Sequence, residues 1–214
     1  NKYKNEIDHI SIGKDKNQYE AVDKAIKISK GEIIIWINSD DILDKNAVEN
    51  AISIFAADKS AQWISGINGY IKYNYRYSGI PYFYPNTFIT NGYAHQNYWG
   101  FIQQESVIFK KKLFYNSGGF KNRFTNASDF HLWKNFSKHS KLKTYYLKIG
   151  YFRSWHGQNS KIQQLEYYKD TGLKKSKISL RIFRLLISII LLPYIFIKTK
   201  YLLRKKSEIY QLFF

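Results

Sequence analysis

The 214-residue chain has no cysteine, no methionine and only three prolines, and its 16 acidic residues face 34 lysines and arginines. Without cysteine there can be neither a disulfide framework nor a thiolate metal site, so any metal must be held by oxygen or imidazole ligands. That usage fits the cytoplasm. No signal-peptide pattern opens the chain, which begins Asn1-Lys2-Tyr3 close to a predicted strand over about residues 7–12. No internal repeat or low-complexity linker stands out. With 44% hydrophobic residues, the chain can bury one sizeable core.

Acids being scarce, their positions carry information. The run Gly31-Glu32-Ile33-Ile34-Ile35-Trp36-Ile37 reads as a buried strand, and it ends in Asn38-Ser39-Asp40-Asp41, two adjacent carboxylates at a turn. Hard divalent cations prefer oxygen ligands, and ligands of open α/β sheets bind beyond the carboxyl ends of strands. Alternatively the pair only caps a helix over about residues 45–57. Upstream, Asp15-Lys16-Asn17-Gln18-Tyr19-Glu20-Ala21-Val22-Asp23-Lys24-Ala25-Ile26 predicts a helix with Ala21, Ala25, Ile26 and Ile28 on its apolar face, stopped near Gly31. Strand, helix, strand, acidic turn and helix in this order make half of a parallel α/β unit.

This run resembles the family 2 inverting glycosyltransferases of GT-A fold, which often read Asp-x-Gly-x-Tyr-Asp-Ala-x-Asn-Lys-Gly and then a Gly-Glu strand ending in Asn-Ser-Asp-Asp. Asn17, Glu20, Asp23 and Ala25 depart from that pattern. Downstream, Gln103-Gln104-Glu105-Ser106-Val107-Ile108-Phe109-Lys110-Lys111 is similar to the family's Gln-x-Ser-x-Phe-x-Arg-Arg strand. Ala127-Ser128-Asp129-Phe130-His131-Leu132-Trp133 resembles the segment that supplies the catalytic base, and Phe152-Arg153-Ser154-Trp155-His156 resembles its Phe-Arg-x-His stretch with one shift in spacing.

The resemblance implies a mixed α/β sheet flanked by helices, related to the Rossmann fold. It also implies an enzyme that moves a sugar from a nucleotide-sugar donor to an acceptor hydroxyl, with inversion and with Mn²⁺ or Mg²⁺ as cofactor. Asp41 and His156 would hold the metal. Asp40, Lys24, Asp15 and Arg153 would bind the donor, Gln104 and Glu105 the acceptor, and Asp129 would be the base. Ser128 or Asp129 could cap a helix whose apolar face is Phe130, Leu132, Trp133 and Phe136. A helix N-terminus favours an ionised carboxylate, the form a base needs. His131 receives no role. Family members usually begin with further strands that hold the nucleotide base. The chain is therefore expected to lack the first βαβ elements, about a third of the catalytic domain.

The excess of positive charge is concentrated in the last third. From Lys134 to Lys206 there are 18 lysines and arginines against Glu166 and Asp170. A nucleic-acid binder would spread arginine-rich charge evenly, whereas here lysines flank the apolar stretch 178–197, interrupted by Arg181, Arg184 and Pro193. No nucleic-acid partner is expected. The stretch barely suffices to span a bilayer, could pack on the domain or a second subunit, and best suits a helix lying in anionic headgroups. Basic flanks at both ends leave its orientation open.

The sequence thus predicts a partial GT-A catalytic domain over residues 1–160 and a basic, helical, membrane-associating segment over 161–214. The expected setting is the inner face of the cell membrane, with peripheral or anchored attachment to an anionic surface. The expected acceptor is a saccharide or lipid-linked acceptor in bacterial surface polysaccharide or glycolipid synthesis. The Tyr-, Asn- and Gly-rich stretch 70–100 reads as an acceptor-side insert. A truncated, non-catalytic relic or a basic membrane-surface binder is the competing reading.

Overall fold

A computed structural model describes residues 4–73, 75–95, 98–120, 126–155, 164–172 and 180–211, the side chains of residues 4, 164 and 205–211 aside. Among the described residues six strands form one mixed sheet: β1 (Ile33–Ile35), β2 (Ile42–Leu43), β3 (Trp63–Lys72), β4 (Tyr75–Pro81), β5 (Val107–Lys110) and β6 (Lys143–Arg153). The spatial order is β1-β5-β3-β6-β2, with β4 on the β3 edge beyond β5. β3 and β6 run parallel and every other pairing is antiparallel. Among the described residues seven helices accompany the sheet: α1 (Gln18–Ile28), α2 (Ala47–Ala57), α3 (Asn86–Thr90), α4 (Lys111–Asn116), α5 (Ser128–His139), α6 (Gln164–Thr171) and α7 (Arg181–Gln211).

The two-residue period of the strands builds two cores. Trp63 and Phe109 are cross-strand partners, as are Ile64 and Ile108, and all four are fully buried. Trp63 and Phe109 join Ile26 of α1, Phe114 of α4 and Leu132, Trp133 and Phe136 of α5 on one face. Ile64 and Ile108 join Ala47, Ala51, Ile54 and Phe55 of α2 and Leu202 of α7 on the other. Alternation along a central strand therefore commits helices to both faces.

The expected apolar face of α5 is the one observed, while that of α1 is rotated. Tyr19, Val22 and Ile26, spaced three and four apart, turn inward, whereas Ala21, Ala25 and Ile28 are exposed. The strand expected over residues 7–12 is not formed. Among the described strands β1 has only β5 as a neighbour, so that segment finds no ladder, and Ile12 is 94% exposed. The strand before the acidic turn keeps only Ile33–Ile35, and the Gln103 strand begins with a 3₁₀ turn over Gln104–Ser106.

Candidate active site

Two clusters of polar groups lie beyond the strand ends. The first is built on the acidic turn, closed by the Asp41 N–H donating to the Asn38 carbonyl at 3.1 Å. Asn38 Nδ2 reaches Asp41 Oδ2 at 3.1 Å, Gln104 Oε1 at 3.2 Å and Glu105 Oε1 at 3.4 Å. Gln104 Nε2 donates to the Trp36 carbonyl at 2.8 Å, which pins the 3₁₀ turn to the end of β1. The Arg153 N–H, at the end of β6, donates to Asp41 Oδ1 at 2.9 Å, and Trp155 Nε1 donates to Asp40 Oδ2 at 3.1 Å. Gly150 lets the 3₁₀ turn sit directly on β6, because a Cβ there would collide with the Glu105 carbonyl.

Charge is concentrated in this cluster. Glu105 is only 5% exposed. Burial first, and then the Asp41 carboxylate beside it, push its carboxyl well above the usual range. Burial also raises Asp41, against the Arg153 N–H that favours its charge, and Asp40 adds like-charge repulsion. Two carboxyls that both resist ionisation are chemically suited to a divalent cation, which would stabilise their charged forms. Among the described residues no three His, Asp or Glu side chains converge as a closed metal cage. Asp40 and Asp41 offer instead an open pair of hard oxygen donors, the kind Mg²⁺ uses when substrate phosphates and water complete its shell.

The second cluster surrounds Asp129 in the first turn of α5. Neither Ser128 nor Asp129 is the N-cap residue, a position taken by Ala127. Burial pushes the Asp129 carboxyl up to about 6, outweighing the backbone N–H groups of the first turn that hold it down. Tyr19 of α1 donates from its hydroxyl to the Asn126 carbonyl at 3.0 Å and lies 3.5 Å from Asp129 Oδ1. The Tyr19 ring meets Trp36 edge-on at 5.7 Å, and both meet Phe120 at 5.5 Å. Trp36 thus touches both clusters, through its carbonyl to Gln104 and through its ring to Tyr19.

The structure therefore brings Asp40, Asp41, Gln104, Glu105 and the Arg153 backbone together and ties Asp129 to them through Tyr19 and Trp36. Lys24 and Asp15 stand elsewhere, in an exposed ion pair at 2.7 Å that Glu20 extends at 3.4 Å. His156 lies outside the described residues. His131, left without a role, binds the Asp170 carbonyl of α6 at 2.8 Å through Nε2, while Asp170 Oδ2 accepts from the Asn126 N–H at 2.8 Å. Sequence reasoning missed Asn38, Tyr19 and Trp155. All three sit inside quoted motifs, but only the fold shows that Asn38 faces Gln104, that Tyr19 faces Asp129 and that Trp155 faces Asp40.

The chain is similar to known proteins in sequence and in fold. The family model described as Glycosyl transferase family 2 matches residues 2–121, a span that includes the acidic turn and Gln104–Glu105 but ends before Asp129. The chondroitin synthase of Escherichia coli is 25% identical over 171 residues, covering 75% of this chain and 23% of that protein. The hyaluronan synthase of Pasteurella multocida is 26% identical over 159 residues, covering 70% and 15%. The chain thus spans less than a quarter of the length of these curated relatives. Among solved structures, S. aureus TarS 1-349 in complex with UDP-GlcNAc superposes with a TM-score of 0.52 at 14% identity, covering 72% of this chain and 44% of that one. That likeness is one of fold.

Proposed function

The chain belongs to glycosyl transferase family 2, and from that premise we propose that it moves a sugar from a nucleoside-diphosphate sugar to an acceptor hydroxyl with inversion at the anomeric carbon. The observation that carries this reading is the hydrogen-bonded set of Asn38, Asp41, Gln104 and Glu105 beside Asp40. In it, Asp40 and Asp41 present the donor end of the site. A Mn²⁺ or Mg²⁺ ion held by Asp41, with Asp40 and His156 alongside, would supply charge stabilisation to the departing diphosphate.

Asp129 acts as the base. In its ionised form it takes the proton of the acceptor hydroxyl while that oxygen bonds to the anomeric carbon. The bond from that carbon to the diphosphate oxygen breaks on the opposite side. Tyr19 orients Asp129 and keeps its proton-accepting oxygen in place. Arg153 is assigned to the donor diphosphate, and Gln104 and Glu105 to the acceptor end. A UDP-sugar donor is supported by the UDP-GlcNAc complex of the similarly folded TarS. The relatives, named as chondroitin and hyaluronan synthases, support a saccharide acceptor in bacterial polysaccharide synthesis, and the inner face of the membrane is the place we assign to it.

Isothermal titration of Mn²⁺ with UDP, dTDP and GDP into the chain and into Asp41→Ala tests this. Metal-dependent binding of one diphosphate, lost in the variant, is expected. Absence of binding to all three by a folded chain overturns the reading in favour of a non-catalytic relic.

A further inference from the structure

Helix α7 is apolar on the wrong side for a surface helix. Its segment Arg181–Arg204 contains an 18-residue window of mean hydropathy 1.9, long and apolar enough to cross a membrane, yet only 17% of that window is buried. The buried stripe is Ser188, Ile195, Thr199 and Leu202, spaced at helical intervals. Away from it, Ile182, Phe183, Leu186, Ile190, Tyr194 and Ile197 are between 52% and 74% exposed. A helix resting on a water-soluble domain carries charge on that outward face. This one carries large hydrocarbon side chains.

The inward stripe is fastened along its length. Ser188 Oγ accepts from the Phe83 N–H at 3.0 Å, and Thr199 Oγ1 accepts from the Tyr146 N–H at 2.9 Å. The Arg184 guanidinium lies 3.8 Å over the Tyr82 ring, in space left open by Gly100 at φ +95°. Leu202 enters the core with α2. From Arg184 to Leu202 the attached stripe is about 27 Å long, nearly the thickness of a bilayer's hydrocarbon layer. Crossing the membrane would pull that whole stripe off the domain and leave the Phe83 and Tyr146 N–H groups unpaired.

Charge identifies what covers the outward face. From Arg181 to Lys206 there are seven cations and no carboxylate, six of them besides the inward-turned Arg184, and Lys174, Lys175 and Lys177 precede them in the sequence. A second copy laid on this face would set cations against cations. Anionic headgroups would meet them with opposite charge, and acyl chains would take the hydrocarbon side chains. We propose that α7 lies lengthwise at the headgroup–acyl boundary of an anionic bilayer, holding the domain on the membrane without crossing it. The proposal stands independently of glycosyl transfer, since it rests on α7 alone.

The full chain is sedimented with vesicles of phosphatidylcholine, alone or with about 30% phosphatidylglycerol. Binding about tenfold stronger to the anionic vesicles is expected, and alkaline carbonate should strip the protein from membranes of an expressing host. Ile190→Glu with Ile197→Glu should lose about tenfold in binding to the anionic vesicles, with an unchanged urea unfolding curve. Lys200→Glu with Arg204→Glu, which leaves the apolar face intact, should abolish the preference for anionic vesicles. Retention in the carbonate pellet means a spanning helix and overturns the proposal. So does binding by the Ile190/Ile197 variant equal to the parent's, or a dimer by light scattering that ignores vesicles.

Discussion

Replacing Asp129 with asparagine should make the folded protein more stable at neutral pH while removing its base. Burial raises this carboxyl from 3.8 to about 6. Between those two values the folded state binds a proton that the unfolded chain has released, so folding stability falls as pH rises through the window. At about 1.36 kcal/mol per pH unit, the shift amounts to roughly 3 kcal/mol of destabilisation, complete above pH 7 and absent below pH 4. An asparagine side chain at this position is neutral at every pH and escapes it. Urea unfolding of parent and Asp129→Asn at pH 4.0 and pH 7.5 measures the effect directly. The variant's advantage should grow by about 2–3 kcal/mol between the two conditions. An equal difference at both pH values would falsify the claim that burial opposes ionisation of Asp129. The same group sets the activity profile. A base near 6 is about 10% ionised at pH 5 and about 90% at pH 7, so transfer should rise roughly tenfold over that interval.

Three further outcomes follow from the geometry. Asp58 accepts from Lys143 Nζ at 2.7 and 2.8 Å and from the Tyr145 hydroxyl at 2.8 Å, and these partners hold its carboxyl well below the usual range despite its burial. Asp58→Ala should cost about 3 kcal/mol in urea unfolding at pH 7 and still roughly two thirds of that at pH 3, because a depressed carboxylate loses its contribution only as pH falls through its low folded value. Gly150→Ala drives a methyl group into the Glu105 carbonyl. It should lose about 2 kcal/mol of stability and also Mn²⁺–diphosphate binding by titration; unchanged binding would separate the 3₁₀ turn from the site. Trp63→Ala removes a fully buried ring that stacks on Trp133 at 5.8 Å and donates to the Ser140 carbonyl at 3.0 Å, a loss of about 3–5 kcal/mol by denaturation.

The elements legible in the sequence are those whose own residues contain the whole pattern. The Phe130-Leu132-Trp133-Phe136 face of α5 can be read directly, as can the acidic turn, because periodicity and adjacent carboxylates are local signals. The face of α1 cannot, because alanine is equally content inside or out, and only Tyr19's reach to Asn126 across 107 positions decides which stripe turns inward. Residues 7–12 have strand-like composition, but a strand needs a neighbour, and composition does not supply one. Asn38 and Trp155 escape assignment because their partners are hydrogen-bonded across distant segments, Trp155 reaching Asp40 over 115 positions. Long-range pairing decides each of these cases that local pattern leaves open.

The Asn38 amide has a consequence for how the site responds to a ligand. Its nitrogen carries two hydrogens, yet three acceptor oxygens lie within 3.4 Å, on Asp41, Gln104 and Glu105. The third contact is met by Glu105 itself, whose carboxyl keeps its proton well above the usual range and is hydrogen-bonded to Asp41. A positive partner arriving at Asp41 would compete with that proton, so filling the donor end of the site would be coupled to release of a proton from Glu105.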